Sequence, residues 1–324
     1  MDTADLVTFR ELEELKYRYT RGLDHKDWDL FASCFTPDAT ATYGDRLEFA
    51  GPDEIVAYMR QTLGPSMITV HQLSKAYGAK AVVSNVSTPF PARQLTSLIG
   101  PNGAGKTTLL MMIARLLEPT SGDILLEGRS VSGIRIADYA RRVATLRQSP
   151  DFNLRLTVDE LVAFGRFPYS RGALTPEDRC AIDEAIAFLS LEPLRGAYLD
   201  ELSGGQRQMA FLAMTIAQQT DCLLLDEPLN NLDIQHAVQI MRALRRLCDT
   251  HGRTVILVVH DINFAANYSD HIVAMKGGAV HCAGPVHEVV TEARMKELYG
   301  LDFEITQGER GRLCNYFNPP GEPT

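Results

Sequence analysis

The chain has 324 residues, 45% of them hydrophobic and 23% charged. That composition is ordinary for a globular protein of about two domains and excludes a disordered chain. The net charge of −9 comes with no basic stripe to follow a phosphate backbone, which excludes nucleic acid as the main partner. The longest apolar runs, 109–114 and 255–259, fall short of the ~18 residues that a membrane span needs. The opening Met1-Asp-Thr-Ala-Asp5 has no basic region with an apolar stretch behind it, so it is not a secretory signal. Six scattered cysteines without a C-x-x-C pair read as the reduced thiols of a cytosolic protein.

In chain order, Phe9–Tyr19 carries an amphipathic helical pattern, with Leu12, Leu15 and Tyr19 on one face. Asp27–Phe35 reads as a second short helix, 38–43 alternates like a strand, and Pro52–Leu63 reads as a helix with proline at its start. Residues 1–66 hold 7 Lys+Arg and 13 Asp+Glu, a net of −6, so a fifth of the chain carries two thirds of the charge. Leu63-Gly-Pro-Ser66 is a loop, and an alternating apolar stretch opens at Met67, which places a domain boundary at 64–67.

Beyond it, short apolar strands at 94–99, 221–225 and 254–259 are each followed by a helix. That alternation predicts an α/β fold with a parallel sheet, and functional loops at the strands' carboxyl ends. Gly100-Pro101-Asn102-Gly103-Ala104-Gly105-Lys106-Thr107 follows the first strand and opens a helix. It fits G-x-x-x-x-G-K-[ST], in which glycines let backbone N–H groups wrap phosphate, the lysine reaches the β- and γ-phosphates, and the hydroxyl takes Mg²⁺. Asp226 and Glu227 stand just past the second strand, one suited to Mg²⁺ and the other to activating a water as general base. His260 ends the third strand. On its own such a histidine is usually structural; in this setting it bridges Glu227, the water and the γ-phosphate.

With those residues in place, Leu202-Ser203-Gly204-Gly205-Gln206 resembles the signature motif of the ATPase subunits of ABC transporters. Over 67–318 the resemblance implies a P-loop NTPase core with an N-terminal antiparallel β part and a helical subdomain at about 149–215; the turn-rich tail, 319–324, reads as disordered from its own composition. It implies that Tyr77 stacks on adenine and that 100–108, Thr108 included, hold ATP. Gln148 is then the glutamine-loop residue at Mg²⁺, with Thr107 and Asp226, and belongs with Glu227 and His260 in catalysis. Asp233 lies in the D-loop. In this family the signature caps the γ-phosphate bound by the other protomer. A homodimer follows, with a separate integral-membrane permease, a substrate-binding protein acting indirectly, and a peripheral place on the cytoplasmic membrane face.

The stretches 157–170 and 224–233 are similar to ferric-siderophore importer ATPases, with cobalamin and haem importers as close relatives. Residues near Gln148 to Tyr169 are then the permease-docking face, unless Phe164, Phe167 and Tyr169 are simply subdomain core. A soluble ABC protein of repair, regulation or translation is the rival of another class; it lacks support in a chain with one cassette and no basic or coiled-coil insert.

Leu23-Asp-His-Lys-Asp-Trp28 and Phe35-Thr-Pro-Asp-Ala39 resemble the opening of SnoaL-like domains, an α+β cone in which Asp24 matches a position catalytic in some dehydratases. Only the first half of that cone precedes the ATPase. The expectation is an incomplete, partly ordered fragment docked on the ATPase or another copy, rather than an active dehydratase module. A half-domain joined to a whole one also suggests Met67 as the native start, with 1–66 added by fusion or a misjoined gene model; N-terminal sequencing of the natural product tests this.

Overall fold

The computed structural model describes residues 10, 12–21, 28–43, 47–63, 65–78, 80–147, 155–309 and 311–317. The chain divides into two compact units, Met1–Pro65 and Ser66–Thr324.

In the first unit, helix α1 covers 12–21 and α2 covers Trp28–Ala32. Strands β1 (Thr40–Tyr43) and β2 (Leu47–Ala50) pair antiparallel, and α3 follows at Pro52–Leu63. Its core is small: Phe31, Ile55 and Met59 are buried, with Tyr19, Trp28, Phe35 and Phe49 packed around them. Tyr19 and Phe35 both meet the Phe31 ring at 5.0 Å between centroids. Aromatic packing of this kind concentrates apolar area in few residues. Leu12 and Leu15 on α1 remain 60% and 40% exposed, so the amphipathic face read from the sequence is not wholly covered. Asp24 lies outside the described residues.

The second unit opens with two long antiparallel strands, β3 (Ser66–Tyr77) and β4 (Lys80–Pro91). Together with β6 (Ser121–Leu126) and β7 (Arg129–Ser130) they form a sheet of order β4-β3-β6-β7. A six-stranded sheet is the centre of the unit, in the order β12-β11-β5-β10-β9-β8. Its members are β5 (Leu95–Ile99), β8 (Val143–Leu146), β9 (Cys222–Asp226), β10 (Thr254–Val258), β11 (His271–Lys276) and β12 (Ala279–Pro285). The first five run parallel, and β12 pairs antiparallel with β11. Strands β5, β9 and β10 are buried along their whole length. That is why they read as continuous apolar runs rather than as alternation.

Two cores flank this sheet. One packs α4 (Lys106–Ile113) and α5 (Ile136–Ala140) with the antiparallel sheet. The other gathers α6 (Val158–Phe164), α8 (Pro176–Phe188), α9 (Gly204–Ala217), α10 (Ile234–His251) and α11 (Ile262–Tyr268). Helix α7 (Phe167–Ser170) sits between α6 and α8 in the chain; α12 (Val286–Val289), α13 (Glu292–Tyr299) and the hairpin β13 (Glu304–Gly308)–β14 (Gly311–Asn315) close it. Thr157, Thr175 and Ser203 each start a helix with a reciprocal capping box, as their S/T-x-x-E/D/Q spacing dictates. All six cysteines are free thiols. Among the described residues, no helix is long and apolar enough to cross a membrane.

Candidate functional site

Register brings the site together. Val258 of β10 pairs with Leu98 of β5 on one side and with Asp226 of β9 on the other. The next residues of three neighbouring strands therefore emerge side by side: the glycine loop from 100, Glu227, and His260. This is the crevice outside the carboxyl ends of a parallel sheet.

The loop's glycines have distinct tasks. Gly100, Gly103 and Gly105 all have positive φ, at 137°, 78° and 95°. A Cβ on Gly100 would overlap the Met275 carbonyl oxygen, and one on Gly105 would lie 2.8 Å from the Val82 carbonyl oxygen. A Cβ on Gly103 would meet nothing. Gly100 and Gly105 thus let the loop close against β11 and β4, while Gly103 is left for the turn itself. Lys106 opens α4 and is nearly fully buried. Its ammonium donates to the carbonyls of Gly100 (2.7 Å) and Pro101 (3.0 Å), which ties the loop to its own helix. Burial lowers its pKa, and the nearby Glu227 and Asp226 charges oppose that shift.

Thr107 Oγ1 donates to Asp226 Oδ1 at 2.9 Å. Asp226 is buried, and that desolvation raises its pKa, with the Thr107 hydrogen bond acting in the other direction. Glu227 stands in the left-handed region at φ 50°, a conformation costly for a side chain with a Cβ and found where a site over-determines it. One carboxylate oxygen lies 2.7 Å from His260 Nε2, and the other accepts from Asn230 Nδ2 at 3.0 Å. Val82, 102–108, Glu227, Asn230 and His260 line one open cleft.

The structure thus joins Asn102 to Thr108, Asp226, Glu227 and His260. Tyr77 is not among the residues lining the cleft; it ends β3, exposed, with the Lys75 ammonium 5.3 Å from its ring centre. Gln148 lies outside the described residues. Leu202–Gln206 do not line the cleft. They start α9, where Ser203 caps the helix and the Gln206 amide oxygen accepts from the Ser203 backbone N–H at 3.0 Å. Asp233 caps α10 by accepting from the His236 backbone N–H at 2.8 Å. Phe164 and Phe167 are exposed rather than core, at 49% and 60%.

Asn230 was not singled out by the sequence reading. Its signal was its place three residues after Glu227, inside the turn that leaves β9.

Residues 83–230 match the family model described as ABC transporter, and 5–77 match that of the SnoaL-like domain. The petrobactin import ATP-binding protein YclP of Bacillus subtilis is 45% identical over 252 residues, which is 78% of this chain and all of that one. The ferric enterobactin transport ATP-binding protein FepC of Escherichia coli is 37% identical over 232 residues, covering 71% and 86%. Among solved structures, a dimeric bacterial ABC transporter cassette matches with TM-score 0.60 and 29% identity over 68% of this chain and 99% of that one.

Proposed function

This chain belongs to the ABC transporter family as one of its ATP-binding, ATP-hydrolysing subunits, and from that premise we propose that it powers import of a ferric siderophore through a separate membrane permease. The observation that carries the mechanism is the split between two half-sites. Lys106, Thr107, Glu227 and His260 line one cleft, with buried Asp226 hydrogen-bonded to Thr107, and the signature loop is not part of its lining. Two copies of the chain supply what one lacks: the loop of one and Ser203–Gln206 of the other sandwich each ATP.

Glu227 acts as general base on the attacking water. His260 and Asn230 hold its two oxygens, so the carboxylate is aimed before ATP arrives. The Lys106 ammonium turns from loop carbonyls to the β- and γ-phosphates. The hydroxyl of Thr107 and the carboxylate of Asp226, 2.9 Å apart, form a hard-oxygen pair that fits Mg²⁺, an ion held by one or two protein oxygens plus phosphates and water. When bound, the ion neutralises charge on the phosphate oxygens. Gln148 completes this set, and Tyr77 stacks on adenine. Closure of the dimer on ATP and its release after hydrolysis form a switch held by phosphate contacts.

The names of relatives such as the petrobactin and enterobactin proteins favour a siderophore over cobalamin or haem. Exposed Phe164 and Phe167, with Tyr169 beside them, support a permease contact on the helical subdomain. The chain then works on the cytoplasmic face of the membrane, where ATP is present, and meets a substrate-binding protein only through the permease. The test is radiolabelled ferric siderophore uptake in cells whose own importer ATPases are deleted. Restored uptake with the wild-type chain and none with Lys106→Ala supports the reading. Restoration of cobalamin uptake alone would overturn the choice of substrate.

A further inference from the structure

Gly205 of the signature loop is buried, and its α-carbon faces the imidazole ring of His236. A Cβ on Gly205 would overlap the ring and lie 2.7 Å from Nδ1. The same ring nitrogen is 2.9 Å from both carboxylate oxygens of Asp233. An ionised carboxylate only accepts, so Nδ1 carries the proton and donates. Asp233 also accepts from the His236 backbone N–H, which, with the ring, holds its carboxyl below the usual range. His236 is thereby fixed from two sides, with its side chain only 25% exposed. Six residues before Asp233 stands Glu227, whose carboxylate is held by Asn230 of the same loop.

We propose that His236 is a positioning residue that ties the signature loop to the D-loop of its own chain. The inference rests on the two-copy reading above and deepens it. In that reading Gly205 serves the ATP of the other chain, while Glu227 serves the ATP of its own. The loop 227–233 connects the two, and the His236 ring is the piece that bridges Asp233 to Gly205. A change at Glu227 on hydrolysis is then felt at the opposite ATP through a ring in direct contact with both segments. It also gives Gly205 a second reason to lack a side chain, beyond any close approach to phosphate.

The test uses the full chain and four variants: His236→Ala, His236→Asn, Gly205→Ala, and Gly205→Ala with His236→Ala. Three quantities are measured: the affinity of the single chain for a fluorescent ATP analogue, kcat, and the Hill coefficient of hydrolysis against ATP. Wild type is expected to hydrolyse ATP with a Hill coefficient above 1. His236→Ala should keep the nucleotide affinity within about twofold, lose about tenfold or more in kcat and bring the Hill coefficient to 1, because a loosened bridge leaves each cleft intact but uncoupled. His236→Asn, whose amide can donate to Asp233, should restore much of both. The double variant should exceed Gly205→Ala alone in kcat, since the ring is what the new methyl meets. Wild-type kcat and Hill coefficient in His236→Ala would overturn the proposal. So would a parallel fall in affinity, melting temperature and kcat that asparagine does not restore, which marks a purely structural ring. A wild-type chain that hydrolyses ATP with a Hill coefficient of 1 overturns the coupling while leaving the ATPase reading intact. One that hydrolyses none overturns that reading, and the inference with it.

Discussion

Replacing Asp178 with alanine should destabilise the ATPase unit more than any single surface change. Arg166 and Asp178 form an ion pair at 2.7 Å with side chains only 6% and 3% exposed. The guanidinium also donates to the Ala217 carbonyl (2.9 Å) and the Gln219 amide oxygen (3.2 Å), and it stacks on Tyr169 at 4.1 Å. Asp178 closes the capping box of α8, where its carboxylate accepts from the Thr175 N–H. Asp178→Ala leaves a buried guanidinium without its counter-charge, a loss of about 3–5 kcal/mol, and removes half a capping box, worth roughly 1 kcal/mol more. Arg166→Met together with Asp178→Ala removes both charges, so it should recover most of the first loss and none of the second. Urea unfolding followed by far-UV circular dichroism measures this. Fluorescence would not, because the single tryptophan, Trp28, belongs to the other unit. A loss below about 1 kcal/mol in Asp178→Ala, or a double variant no more stable than the single one, would refute the account of this pair as a coupled buried unit.

Other perturbations separate the site's parts. Gly100→Ala should abolish ATP binding in a binding assay, because the new methyl meets the Met275 carbonyl where φ is 137°; normal affinity would contradict the packing role of this glycine. Asn230→Ala should lower kcat by about tenfold with unchanged ATP affinity, since it removes the Asn230 hydrogen bond to one oxygen of Glu227, the proposed general base. His271 is buried on β11, its Nδ1 without a hydrogen-bond partner among the described residues, and burial pushes its pKa down to about 4. The unfolded chain takes this proton near the ordinary 6.5, so stability should fall as pH drops from about 6.5 towards 4, by on the order of 3 kcal/mol. His271→Leu should flatten that part of the pH–stability curve, and an unchanged slope would assign the acid sensitivity elsewhere.

The readable part of the site follows from what chemistry demands of a short segment. Three glycines, a lysine and a hydroxyl in fixed spacing, and two acids after an apolar run, are local patterns. The strands at 94–99, 221–225 and 254–259 were legible because burial on both faces makes them continuously apolar. What was not legible depends on register between distant segments. That Val258 aligns Leu98 with Asp226 is a property of the sheet, not of any one motif. The antiparallel edge strand β12, the Arg166–Asp178 pair and the packing of His236 on Gly205 are likewise products of folding. Backbone strain at Glu227 was equally hidden, since glutamate carries no sequence mark of a positive φ. In the first unit the strand at 40–43 and the helix at 52–63 follow the pattern read from the sequence. The compactness of that unit around Phe31 and Ile55 does not, because it depends on which apolar faces meet.

The central claim is that Glu227, held by His260 and Asn230, drives hydrolysis within a two-chain ATP sandwich. The most direct measurement compares wild type with Glu227→Gln for ATP turnover and for mass in solution with ATP and Mg²⁺ present. The account predicts turnover reduced by about 10²–10⁴-fold in the variant, together with a stable two-chain species that appears only with ATP. A variant that turns over ATP at the wild-type rate, or stays a single chain in saturating ATP, would contradict it.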